Sequence, residues 1–233
     1  MTVLFDAETG RLRLSADSWQ ALRLWGQGRS RDGERTAALH DAGVIERGRP
    51  HPSLVPALEA ALEPVVTLAI EQRDNQGSRI DGTGWVVPGI AALLLDAPDE
   101  LCELVTVHAA MLPSALARVV ALGPRDRGAT SPLHVPDGAM DRLLGADTGA
   151  RRAVANELGK DRLPDIADGP WNHWSIRAQW APDGQRTVTV LDTSRQMWLV
   201  VRPTPGVHTL CPTDPTQVWR LLTRLLPTDD EQT

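Results

Sequence analysis

The sequence predicts an α+β fold of two similar halves, each a helix–antiparallel sheet–helix arrangement, related by quasi-two-fold symmetry. Three observations lead there. Hydrophobic spacing changes from helical to alternating after Pro64 and again from Trp171. Each alternating region holds four strand-like runs separated by turn residues, in meander order. Each then closes with an apolar helix that stops at proline, MLPSALARVVALGP (111–124) in the first half and TDPTQVWRLLTRLLP (213–227) in the second. Element order rather than residue identity carries this repeat. Two such units pairing their sheets about a pseudo-two-fold axis would leave a groove between sheet and helices.

The elements follow in order. TVLFDAETGRLRLS is a hairpin turning at Gly10. SADSWQALRLWG is a helix that Ser15 or Asp17 can cap, with Trp19, Leu22 and Trp25 at helical spacing. RDGERTAALHDAGVI is a second helix, ended by Gly43, and HPSLVPALEAALEP a third, with Leu54, Leu58, Ala61 and Leu62 on one face. PVVTLAIEQRD and SRIDGTGWVVP are strands joined across NQG, and IAALLLD and LCELVTVHA are two more. In the first closing helix Leu112, Leu116, Val119 and Val120 share a face, and Gly123 ends it. PRDRGATSPLHVPDGA is a Pro/Gly/Ser-rich break. The expected organisation is therefore an N-terminal half (1–123), a linker with a short helix (124–148), a C-terminal half (149–227) and a frayed tail (228–233). The second meander starts at WNHW and turns at Asp183-Gly184, Asp192-Thr193-Ser194 and Pro205-Gly206. Asp214 caps the last helix and Pro215 takes its first position, with Val218, Leu221, Leu222 and Leu225 on one face.

The chain has 233 residues, a net charge of −6 and a pI of about 5.5, a balance that speaks against nucleic acid as the main partner. Its one lysine is Lys160, and with no tyrosine and only Phe5, the eight tryptophans supply nearly all the aromatic surface. Cys102 and Cys211 form neither a CxxC pair nor a disulfide framework and are expected as reduced, buried residues in strands. The N-terminus lacks a signal-peptide pattern and no apolar run spans a bilayer, so a cytoplasmic protein without a membrane partner is expected.

Chemistry is sparse. There is no GxSxG elbow, NELGKD lacks the glycine and hydroxyl residue of a phosphate loop, and DGTGW lacks the third glycine of a dinucleotide fingerprint. The six histidines have no metal-ligand spacing, so neither metal nor cofactor is expected. His173, between Trp171 and Trp174, is the one candidate general base, with Asp168 or Asp192 as its orienting carboxylate. A second alternative is a winged-helix DNA binder: Arg23, Arg29, Arg31, Arg35, Arg47 and Arg49 sit in three helices followed by a hairpin, but Asp32, Glu34, Asp41 and Glu46 interleave with them. Trp174 and Trp180 share one strand face and Trp171 points to the other, so one sheet face could be core and the other a partner surface.

LHDAGVIERGRPHPSLVPALEAALEPVVTLAI, LPSALARVVALGPR and the LDTSRQMW segment before the last helix resemble the EspG family of ESX (type VII) secretion-associated proteins, over about Trp19 to Leu226. The resemblance implies two α+β halves with quasi-two-fold symmetry and a cytosolic chaperone, not an enzyme. Such a chaperone binds the apolar helical tip of a secreted protein and keeps it soluble for export. It further implies partner contacts from Asn75, Gln76, Ser78 and Arg79 in the loop after the first long strand, and from Trp171 or Trp198 on the sheet. The chain is shorter between Gly123 and Trp171 than the family pattern, so the client is either PPE-like or a small WXG-type protein. The binder itself would be a monomer or homodimer. An apolar groove with a polar rim needs no reactive group, in keeping with the composition.

Overall fold

The computed structural model describes residues 2–29, 33–125, 131–159, 166, 169–228 and 231. β1 (Val3–Asp6) and β2 (Arg11–Ser15) form the first hairpin, closed by Gly10 at φ +70°. The Ser15 hydroxyl accepts the Ser18 backbone N–H and starts α1 (Ala16–Gly26). α2 (Gly33–Asp41), a two-residue pair β3 (Ile45–Glu46) and β4 (Arg49–Pro50), and α3 (Val55–Leu62) follow. The first meander is β5 (Val66–Asp74), β6 (Arg79–Val87), β7 (Ile90–Ala97) and β8 (Leu101–His108), closed by a 3-10 turn leading into α4 (Leu112–Val119). Then come β9 (Leu133–Pro136), α5 (Asp137–Leu143) and α6 (Thr148–Leu158). The second meander is β10 (Trp171–Trp180), β11 (Gly184–Thr193), β12 (Met197–Thr204) and β13 (Val207–Thr213), closed by α7 (Pro215–Thr223).

Both meanders lie in one 11-stranded antiparallel sheet, ordered β1-β2-β8-β7-β6-β5-β10-β11-β12-β13-β9. The seam between them is the β5–β10 pair, with Ile70 opposite Ile176 at its middle. The two halves repeat without a gap. Adding 106 to residue numbers of the first meander gives pairings of the second: Val66↔Val86 becomes Asn172↔Asp192, Trp85↔Ala92 becomes Leu191↔Trp198, and Leu93↔Val105 becomes Leu199↔Cys211. The same step carries the N-cap His108 to the N-cap Asp214, and buried Leu112 and Leu116 to buried Val218 and Leu222. Few residue types survive the step, Ile70/Ile176 and Leu116/Leu222 among them. Burial pattern and register are kept while side chains differ, so the symmetry is plain in space and faint in letters.

Alternation along the strands builds three cores. On one face α4 and α7 cover the seam, and Leu68, Ile70, Leu93, Trp174, Ile176, Val190 and Met197 pack beneath Leu112, Leu116, Val218 and Leu222. Gly84 belongs to this face because a Cβ there would lie 2.7 Å from Leu93 and 2.9 Å from Leu68, so the DGTGW glycines make room for packing. On the opposite face α1–α3 cover one side of the sheet through Leu12, Leu14, Trp19, Leu58 and Trp85. α5 and α6 cover the other side with Trp171, Leu191, Trp198 and Leu210, where β9 extends the sheet. Between these two helix groups the face of β5 and β10 stays uncovered: Glu71, Arg73, Arg177 and Gln179 are exposed. The result is a trough whose floor is the seam.

Four expectations are corrected. The break at 124–148 is not only a linker and short helix, because Leu133–Pro136 pairs with β13 as an edge strand. Its alternation is too short to outweigh the flanking Pro and Gly residues. The tail is tied at Glu231, whose carboxylate accepts two bonds of 2.6 Å from Arg186. Cys102 and Cys211 are free but half-buried rather than buried. The parts of a winged helix are present without its architecture: α3 buries Ala57, Leu58, Ala60 and Ala61 against the sheet, and the hairpin after it is β5–β6, the middle of the sheet. Arg31 and the Arg35 side chain lie outside the described residues.

Candidate functional site

The trough floor is polar and charge-ordered. Cross-strand pairing sets Arg79, Arg73 and His173 side by side in one row, and Asp81, Glu71 and Ser175 in the next. Alternation puts both rows on the uncovered face, while Leu68 and Ile70 of the same strand go to the core beneath α4 and α7. Arg79 Nε donates to Asp81 at 2.9 Å, which raises the Arg79 pKa. Arg73 has no ion pair among the described residues. Burial, with the Arg73 and His208 charges adding to it, lowers the His173 pKa to about 4, so the imidazole is neutral at pH 7. Glu71, Gln72, Arg73, Arg79 and His173 line a cavity of about 130 Å³.

The loop after β5 borders this row and is held in shape. Asp74 Oδ1 accepts the backbone N–H groups of Gln76 (2.8 Å) and Ser78 (2.9 Å). Asn75 donates its backbone N–H to Trp171 O and its side-chain amide to Gly169 O, tying the loop to the start of β10. Asn75 is therefore half-buried in a structural role, while Gln76, Ser78 and Arg79 are exposed.

The two tryptophans expected at a partner surface are not there. Trp171 is 3% exposed and Trp198 is 2% exposed, both inside the core beneath α5 and α6. The strand alternation correctly separates Trp171 from Trp174, but helices arriving from elsewhere in the chain cover the second face too. His173 does not meet Asp192, which occupies the opposite face, and Asp168 lies outside the described residues. Among the described residues no group of three or more His, Cys, Asp or Glu is placed to hold a metal ion, and no helix is long and apolar enough to cross a membrane.

Asp192 instead serves α4. Arg125 Nε and Nη2 donate to its two carboxylate oxygens at 2.8 and 2.9 Å. LPSALARVVALGPR and LDTSRQMW are thus joined by one bidentate ion pair that crosses from the first half to the second. Burial raises the Asp192 pKa, although Arg125 works to lower it. The sequence offers Asp192 only as a partner for His173 and gives none for Arg125. The charged alternation of Glu71 and Arg73, by contrast, was a readable sign that this end of β5 stays uncovered. On the face away from the trough, a shallow depression of about 860 Å³ separates the end of α4 from the start of α7 and exposes Trp219.

No family model matches the chain, and no curated protein matches it in sequence. Among solved structures, a match covers 93% of this chain and 97% of the other, with a TM-score of 0.59 and 11% identity. That structure is the Mycobacterium tuberculosis type VII secretion system chaperone EspG5 in complex with a PE25–PPE41 dimer. The chain has the EspG fold. At this identity the likeness is one of architecture, and it extends to the whole EspG-like arrangement of two α+β halves in a shared sheet.

Proposed function

We propose that this EspG-like chain is a cytoplasmic chaperone or adaptor of type VII secretion. It holds the helical tip of a PPE-like or WXG-type partner in the trough and keeps it soluble for export, without catalysing a reaction. The observation that carries this reading is the near-complete fold match to a chaperone whose solved complex contains a PE25–PPE41 dimer. The trough supports it: an uncovered sheet strip lies between two helix groups, the kind of place in which a helix-in-groove partner docks. Gln76, Ser78 and Arg79 supply contacts at its border. Trp171 and Trp198 act from within one flank, as the packing that seats α5 and α6 on the sheet beside the trough.

Co-expression with PE–PPE and WXG-type pairs, followed by size exclusion, tests this. A stoichiometric complex is expected, weakened at least tenfold by Arg177→Glu in the trough and unchanged by Trp219→Ala on the opposite face. Loss of the complex through Trp219→Ala with Arg177→Glu neutral would move docking away from the trough. Clean separation from every soluble pair would end the chaperone reading for those clients.

A further inference from the structure

We infer that the Arg79–Arg73–His173 row is a carboxylate subsite, taking one aspartate or glutamate side chain of the segment that docks in the trough. This rests on the trough being the docking face, as proposed above. Arg73 and Arg79 are direct cross-strand partners, so two guanidinium groups start from Cβ atoms about 5 Å apart, an arrangement that like charges disfavour. Asp81 pairs with Arg79, while Arg73 makes no ion pair among the described residues, although Glu71 of the next row lines the same cavity. His173, on the other side of Arg73, adds a hydrogen-bonding ring without adding charge.

The adjoining cavity of about 130 Å³ matches the volume of roughly four liquid waters. That is room for a carboxyl group on its stem. One unpaired guanidinium suits one negative charge and can bind it bidentately. A phosphate dianion fits less well, because Glu71 and Asp81 stand in the neighbouring row. The two rows together describe the partner: an acidic residue over Arg73, with no second acid next to it over Glu71.

The free protein can be tested without a client, using N-acetylglutamate N-methylamide as probe and the His173 imidazole NMR signals as readout. The groups facing that ring are Arg73 on β5, Arg79 and Glu71 around the cavity, and His208 on β13. A bound carboxylate favours the imidazolium, so the expected result is a saturable shift, with the His173 pKa moving upward from about 4 by roughly one unit. Arg73→Gln should abolish the probe-induced change, read relative to that variant's own starting value. Arg11→Gln, at the Glu103 pair away from the trough, should retain it. The neutral probe N-acetylglutamine N-methylamide should give no saturable response.

An equal response to the neutral probe, or full binding by Arg73→Gln, overturns the subsite. Inorganic phosphate binding about tenfold more tightly than the glutamate probe would reassign the row to a free anion and overturn its partner role. A chain that binds the glutamate probe yet co-purifies with no type VII protein loses the chaperone reading while keeping the subsite.

Discussion

Trp198→Ala lowers the stability of the free protein by about 3–5 kcal/mol, the cost of deleting a buried tryptophan and leaving a cavity. The side chain is 2% exposed and belongs to the core that Leu133, Met140, Leu143, Leu191 and Leu210 build under α5 and α6. In a chain of this length each kcal/mol is worth about 2–4 °C in melting temperature, so a fall of around 10 °C is expected by calorimetry. An interface tryptophan would behave otherwise, with an unchanged melting temperature and a lost partner. An unchanged melt for Trp198→Ala would contradict the packing described here.

Arg125→Ala costs about 3 kcal/mol, near the low end for breaking a buried ion pair because the arginine side chain is 26% exposed. Its partner Asp192 is only 4% exposed, and removing Arg125 takes away the guanidinium that holds both of its carboxylate oxygens. Burial already holds the Asp192 pKa above its ordinary value. An acid whose folded pKa exceeds its unfolded one binds its proton more tightly when folded, so stability is gained as pH falls through the folded value. Removing Arg125 raises that value further. The deficit of Arg125→Ala against the parent protein is therefore fully present where Asp192 is ionised and shrinks as pH falls through the variant's folded value, as urea titrations across pH would read. A deficit that grew on acidification would mean that the ion pair is not the source of the loss.

Much of the fold was legible because it is written in spacing. The period change at Pro64 and Trp171, the turn residues between strands and the two closing helices all describe local geometry, and the structure has them, although α4 ends at Val119, with Ala121 rather than Gly123 in the left-handed region, and α7 ends at Thr223, before their prolines. β9 was not legible: its four residues, Leu133–Pro136, follow one proline and end in another, carry too few alternations to be read as a strand, and become one only by pairing to β13. The tryptophans show a different limit. Alternation tells which sheet face Trp171 and Trp198 occupy but not whether a helix covers that face, which depends on where α5 and α6 return. The Arg73–Arg79 contact needs the register of β5 against β6, and the Arg125–Asp192 pair joins residues far apart in sequence. The second pair is not a property of any local window of sequence.

The seam also sets an order of events in folding. Within each meander, strands pair with their immediate neighbours in the chain, so closing those hairpins costs little chain entropy. β5 and β10 have no such advantage: Val66 must find Trp180 and Asp74 must find Asn172 across most of the chain's middle. Contacts of that separation form late unless something pre-assembles them. Each meander should therefore gain amide protection first, with the β5–β10 amides following as α4 and α7 dock over them in a single step. Pulse-labelled hydrogen exchange during refolding would read this order directly, and protection of the seam ahead of the β5–β6 and β10–β11 hairpins would refute it. A polypeptide built this way assembles much as two subunits do, with its own middle segment acting as the tether.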